Sequence, residues 1–173
     1  KHFFNSFIED VENGTIKAVM APFSKSYSIE GVLDDLRDIF INGRFKDCGL
    51  SASEILAIRR YVGVGYHQIN DYLRFEIGDK STITPAITAM ENGLAKLGSY
   101  PGSVRRGTDL YGPMRDRVIQ DDTLDFKGFT STSVGAGFSG NFTFTIFTNT
   151  GKYIGPLSPS STEEEVLIPP GAK

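Results

Sequence analysis

Leu97-Gly98-Ser99-Tyr100-Pro101-Gly102-Ser103-Val104-Arg105-Arg106-Gly107 is the stretch where the chain changes period. Before it, apolar residues recur every three or four positions. After it, they alternate. Gly98 ends a helical pattern, Pro101-Gly102 marks a turn, and Val104 to Gly107 reads as a first short strand. Helices followed by strands indicate an α+β fold rather than a doubly wound parallel sheet. The 173 residues suffice for a single domain with a real core. Its helical part covers about 1–100 and its β part about 101–173.

Upstream, Phe3, Phe4, Phe7, Ile8 and Val11 keep helical spacing up to Gly14. Ser28 can cap a second helix carrying Val32, Leu33, Leu36, Ile39 and Phe40, which Asn42-Gly43 would stop. Ser51-Ala52-Ser53-Glu54 has the form of a capping box, in which hydroxyl and carboxylate each satisfy a free backbone N–H. The helix behind it is interrupted at Gly63 and Gly65, and a further turn or two carries Tyr66, Ile69, Asn70 and Leu73. Thr84-Pro85 starts another helix, with proline at its first position. Downstream, Phe126 to Thr132 reads as a strand, and Asn141-Phe142-Thr143-Phe144-Thr145-Ile146 alternates as a half-buried strand should. Val166-Leu167-Ile168 is a short apolar strand ended by Pro169-Pro170. Phe129, Phe142, Phe144 and Phe147 are core candidates.

Composition excludes several classes. Net charge is −3, so no global basic field invites nucleic acid. A single cysteine, Cys48, forbids an intrachain disulfide. No apolar run approaches the ~20 residues that span a bilayer. No Walker loop, no dinucleotide-binding glycine signature after a strand and no zinc-ligand spacing is present. His2 and His67 lie far from any serine signature, which argues against a hydrolase triad. The chain begins at Lys1 without a Met and reads as a domain of a longer protein.

Three short motifs carry chemistry. Glu163-Glu164-Glu165 precedes the apolar strand, and in extended chain Glu163 and Glu165 share a face. Paired carboxylates can stabilise a sugar cation and hold a guanidinium. Alone, an acidic run is more often a solvated surface. Ser131-Thr132-Ser133 places Ser131 and Ser133 on one strand face, where a hydroxyl can fix a carboxylate; alone it reads as an ordinary hydroxyl-rich strand. Arg105-Arg106-Gly107 offers one arginine to each face and a glycine over which a flat ring could lie; alone it reads as a surface pair. Tyr66 and Asn70, at i and i+4, add an aromatic and an amide on one helix face. Phe138, among Gly135, Gly137 and Gly140, is a loop aromatic.

Taken in order, these motifs resemble the arginine, Ser-Thr-Ser, Glu-x-Glu pattern of the arginine-specific mono-ADP-ribosyltransferases, from Tyr61 to Gly171. The Tyr-x-Gly-x-Gly-Tyr-x-x-Ile-Asn stretch is similar to that of phage-injected ADP-ribosyltransferases that modify host RNA polymerase, and to related bacterial toxins. The resemblance implies a β-sandwich core of two packed sheets with helices at its N-terminal side. It implies transfer of ADP-ribose from NAD to protein arginines, with nicotinamide released. The catalytic set would be Arg106, Ser131, Glu163 and Glu165. NAD would meet Arg106, Gly107, Tyr66, Asn70, Phe138 and Ser131, with no metal. Implied partners are NAD, a protein with a reactive arginine such as host RNA polymerase or another bacterial or host protein, and an immunity or inhibitor protein, with no membrane. The implied place of action is a target cell's cytoplasm, reached by secretion or phage injection. Two other readings stay open, an NAD glycohydrolase and a non-catalytic binding or virion domain on the same fold. An aromatic often precedes the family arginine, and Arg105 stands there, so Arg105 and Arg106 both remain candidates. Gly128 replaces an NAD-contacting asparagine of some members, and the chain stops where members continue into another core strand.

Overall fold

The computed structural model describes residues 2–23, 28–42, 49–121, 123–135, 137–159 and 164–172. The chain divides into two compact units. One comprises Lys1–Leu97 with Pro156–Pro159, the other Gly98–Gly155 with Ser160–Lys173.

The first unit is helical: α1 His2–Glu12, α2 Thr15–Met20, α3 Ile29–Arg37, α4 Ala52–Arg60, α5 Tyr66–Phe75 and α6 Lys80–Lys96. Helix α4 is its centre, packing on α6, α2 and α1. Every residue from Ala52 to Ile58 is buried. The capping box forms as its spacing predicts. Glu54 N–H donates to Ser51 Oγ at 3.3 Å and Ser51 N–H to Glu54 Oε2 at 3.0 Å. The same carboxylate takes Lys96 of α6 at 2.8 Å. Gly93 lets α6 lie close, since a Cβ there would stand 3.1 Å from Glu54 Cβ and Ile58 Cδ1. On α4's other end, Arg59 bonds Asp38 Oδ2 at 2.6 Å and donates to the Leu157 carbonyl at 3.2 Å. This ties the Pro156–Pro159 stretch to the helices.

Two local expectations are corrected here. Helix α6 begins at Lys80, not Thr84, because Asp79 is the stronger start: it accepts Thr82 N–H at 2.9 Å and the Thr82 hydroxyl at 2.6 Å. Pro85 therefore sits inside the helix, where it supplies no N–H to the carbonyl one turn back. Gly63 and Gly65 do not break the helix after α4. They lie in a π-helical turn, Tyr61–Gly65, that carries α4 into α5. The Phe23 ring occupies the space where a Gly65 side chain would stand.

The second unit holds β1 Ser99–Thr108, the helix α7 Gly112–Gln120, β2 Thr130–Ser133, β3 Phe142–Tyr153 and β4 Glu165–Ile168. The expected two packed sheets are not what these strands form. Among the described residues they close on one another in the order β1, β2, β4, β3, all pairs antiparallel. The physical reason lies in β3. It pairs along almost all of β1, and its last residues Lys152 and Tyr153 also pair with Leu167 and Val166 of β4. Gly151 permits the closure, since a Cβ there would meet Val166 Cγ1 at 2.6 Å. Val104, Val166 and Ile168 form the buried centre, with Tyr100 and Ile146 against it. Phe142, Phe144 and Ile146 are half-buried, whereas Phe147, expected in the core, is 83% exposed. It falls on the outward face with Thr143 and Thr145, and alternation overrides its hydrophobicity.

The glycine at the π-helical turn yields a stability test. Gly65→Ala would push a Cβ into the Phe23 ring and to 2.9 Å from the Arg60 carbonyl. Overpacking of this kind costs about 1–3 kcal/mol. Denaturant midpoints should show that loss, and a smaller increment when the same change is made in a Phe23→Ala background. Equal increments in both backgrounds would mean that Phe23 does not set the need for glycine.

Candidate active site

Strand β1 delivers the arginines. Val104 faces the buried centre, so alternation turns Arg105 outward, and it is exposed. Arg106 is half-buried, and its Nη1 donates to the Ser131 carbonyl of β2 at 2.9 Å. Arg105 pairs with Ser133 through the backbone, whereas Arg106 meets the hydroxyl-rich strand with its guanidinium.

Strands β2 and β4 set the hydroxyls against the carboxylate. Their register pairs Ser131 with Leu167, Thr132 with Val166 and Ser133 with Glu165. Directly opposed residues share a face, so Glu165, Ser131 and Ser133 lie on one side and Thr132 on the other. Thr132 is buried and its hydroxyl donates to the Val166 carbonyl at 2.6 Å, which locks the two strands together. Glu165 is 2% exposed and Ser133 4%. The Glu165 carbonyl accepts Ile154 N–H at 2.9 Å, which fixes its backbone from the β3 side. Glu164 is exposed. Glu163, expected to share a face with Glu165, lies outside the described residues.

A glycine-rich loop lies on these strands. Gly135 N–H donates to Ser133 Oγ at 3.2 Å, and Val134 N–H to the Glu164 carbonyl at 3.0 Å. A Cβ on Gly137 would overlap the Ser133 side chain, one on Gly140 would overlap the Thr108 backbone, and one on Gly107 would overlap the Phe138 carbonyl. The room left by Gly107, read from sequence as space for a flat ring, is thus taken by the loop's own backbone. The far end of the loop is tied by Asn141. Its N–H donates to Asp109 Oδ1 at 2.9 Å, and its side-chain amide both accepts Leu110 N–H at 2.9 Å and donates to the Leu110 carbonyl at 3.2 Å. Phe138 stands between these ties, partly exposed.

Tyr66 and Asn70 belong to the helical unit and have different environments. Tyr66 is 43% exposed, its ring 4.0 Å from that of His67. Asn70 is buried, and its Nδ2 donates to the Tyr61 hydroxyl at 2.9 Å. Its amide nitrogen, which the resemblance turns toward NAD, donates here to a buried tyrosine. Sequence reasoning had not singled out Ser133 as the direct partner of Glu165, nor Asn141 as a loop tie. The register of β2 on β4 is the missing signal in the first case. In the second the partners stand 31 and 32 residues away, where no local pattern reaches. Among the described residues no three His, Cys, Asp or Glu side chains cluster as a metal site, and no helix is long and apolar enough to cross a membrane.

The chain is similar to known proteins in sequence and in fold. The family model for NAD:arginine ADP-ribosyltransferase matches residues 42–172. Mav of Mycobacterium avium (strain 104), named for NAD(+)–arginine ADP-ribosyltransferase activity, is 32% identical over 130 residues, 72% of this chain and 16% of its own. The NAD(+)–protein-arginine ADP-ribosyltransferase Tre1 of Serratia proteamaculans (strain 568) is 33% identical over 129 residues, 72% of this chain and 28% of its own. The chain thus spans less than a third of the length of these relatives. In fold it is similar to the type III effector XopAI of Xanthomonas axonopodis pv. citri, with TM-score 0.69 and 20% identity over 92% of this chain and 76% of that one. With a family match over most of its length and relatives above 30% identity, the chain belongs to the NAD:arginine ADP-ribosyltransferase family.

Proposed function

We propose that this chain is a catalytic domain that moves ADP-ribose from NAD to arginine side chains of a target protein and releases nicotinamide. The observation that carries the reading is the meeting of Arg106, Ser131 and Glu165 on adjoining strands of one closed sheet. In this reading residues 1–173 act as one domain, and the Arg106 guanidinium binds the pyrophosphate of NAD. Breaking the bond between ribose C1′ and the nicotinamide nitrogen leaves positive charge on the sugar, and nicotinamide departs with the bonding electrons. The buried Glu165 carboxylate stabilises that charge, held in place by its strand and by the hydroxyl of Ser131 on the same face. An acceptor guanidinium nitrogen then attacks C1′ and gives up a proton. Glu163 would hold that guanidinium and take the proton. Tyr66 would stack on the dinucleotide, Asn70 would serve by holding Tyr61, and Phe138 would press on the nicotinamide. The acceptor would be met in a foreign cytoplasm after secretion or phage injection. Host RNA polymerase and other bacterial or host proteins are the acceptors to try, and an immunity or inhibitor protein would restrain the enzyme in the producing cell.

Two experiments test the assignment. Glu165→Gln should abolish both protein labelling and nicotinamide release, since losing one such electrostatic group costs on the order of 100-fold or more. Glu163→Gln should depress arginine labelling far more than nicotinamide release. Parallel loss of both activities in the Glu163 variant would show that the two carboxylates act as one unit. Calorimetric titration with NAD decides between the arginines. Arg106→Lys should weaken binding about 10-fold, the equivalent of one charge-assisted hydrogen bond, and Arg105→Lys should weaken it much less. A loss confined to the Arg105 variant would reverse the assignment.

A further inference from the structure

We propose that Ser133 is a positioning residue for NAD, acting as the latch that holds the glycine-rich loop and presents Phe138. This rests on the reading of NAD as substrate, and it assigns the last hydroxyl of the cluster a task apart from that of Ser131. Three observations converge on this side chain. It is 4% exposed and opposes Glu165 directly in the β2–β4 register. Its hydroxyl accepts the Gly135 N–H at 3.2 Å. Its Cβ and Oγ occupy the place where a Gly137 side chain would be, so the loop rests against it with no atom to spare.

The loop is therefore fastened at two points. Ser133 takes its near end, and Asn141, through Asp109 and Leu110, takes its far end. Between them the Phe138 carbonyl rests over Gly107, one residue from Arg106. A ring on such a loop is placed before the ligand arrives, and binding need not meet the cost of ordering it. Ser133 makes this possible because it is itself immobile, set in a strand between two others: β1 through Arg105 and β4 through Glu165. The same side chain thus links the loop's position to that of the carboxylate strand.

The loop's position can be read directly, because the chain has no tryptophan. Phe138→Trp places the sole tryptophan on the loop, which red-edge excitation reads apart from the seven tyrosines. Ser133→Ala, which removes the acceptor but keeps the Cβ, should lower its fluorescence anisotropy without NAD. In the Phe138 protein the same change should raise the NAD KM for nicotinamide release about 5-fold, the equivalent of one net hydrogen bond, with a smaller change in kcat. Gly137→Ala should raise that KM further, by displacing the loop. Added to a Ser133→Gly background, where the colliding Cβ is gone, Gly137→Ala should cost little. The latch is refuted if Ser133→Ala leaves both anisotropy and KM unchanged, if it lowers kcat alone, or if Gly137→Ala costs the same in both backgrounds. Should the unaltered chain fail to bind NAD in calorimetry, the functional reading falls, and this inference with it.

Discussion

Pairing of β2 with β4 is the constraint on which the site depends. Side chains alternate with a period of two, so a slip of one residue would carry Glu165 to the opposite face from Ser131 and Ser133. Four pairs of residues set the register, and the buried Thr132 hydroxyl on the Val166 carbonyl resists a shift because no water could replace that partner. Val166 and Ile168 pull the same strand inward on their own face. Hydrophobic burial on one side thus determines where a carboxylate stands on the other. One bond of Arg106 to this arrangement goes to a backbone carbonyl of β2, and that bond does not depend on which hydroxyl stands there.

Glycine has two distinct uses in this chain. At Gly151 and Gly93 it lets neighbouring elements approach, strand to strand or helix to helix. At Gly107, Gly137 and Gly140 it lets a loop lie on strands with its backbone in contact. The second use trades chain entropy for placement, since a residue without a side chain loses most freedom when it is ordered. Asn141, with three hydrogen bonds at the loop's end, offsets part of that cost.

Much of the fold was legible where the signal is local. The capping box at Ser51 and Glu54, the alternation from Phe142 to Ile146 and the apolar strand before Pro169 all rest on neighbours within a few residues, and the structure contains them. Helix α7 was not anticipated: none of its residues is buried, so no apolar stripe marks it. The start of α6 differs from the expected one because a proline signal competes with an aspartate cap six residues before it. Closure of the sheet was illegible because it depends on Lys152 and Tyr153 pairing with β4, across a loop whose length says nothing of its path. In the candidate site, residue types were readable from the motifs, but pairing was not. Alternation put Ser131 and Ser133 on one face, and only the register shows that Ser133 stands opposite Glu165.

Arg59's grip on the Leu157 carbonyl bears on how the chain is made. Leu157 is buried and belongs with the helices, yet it is encoded 61 residues after Lys96, where the last of them ends. During synthesis the N-terminal helices leave the ribosome first, but the piece that completes their unit emerges only after all of β1, β2 and β3. The helical unit therefore cannot finish as an independent early product. Its completion waits for the strands, and a ribosome that stalls before Leu157 leaves both units unfinished at once.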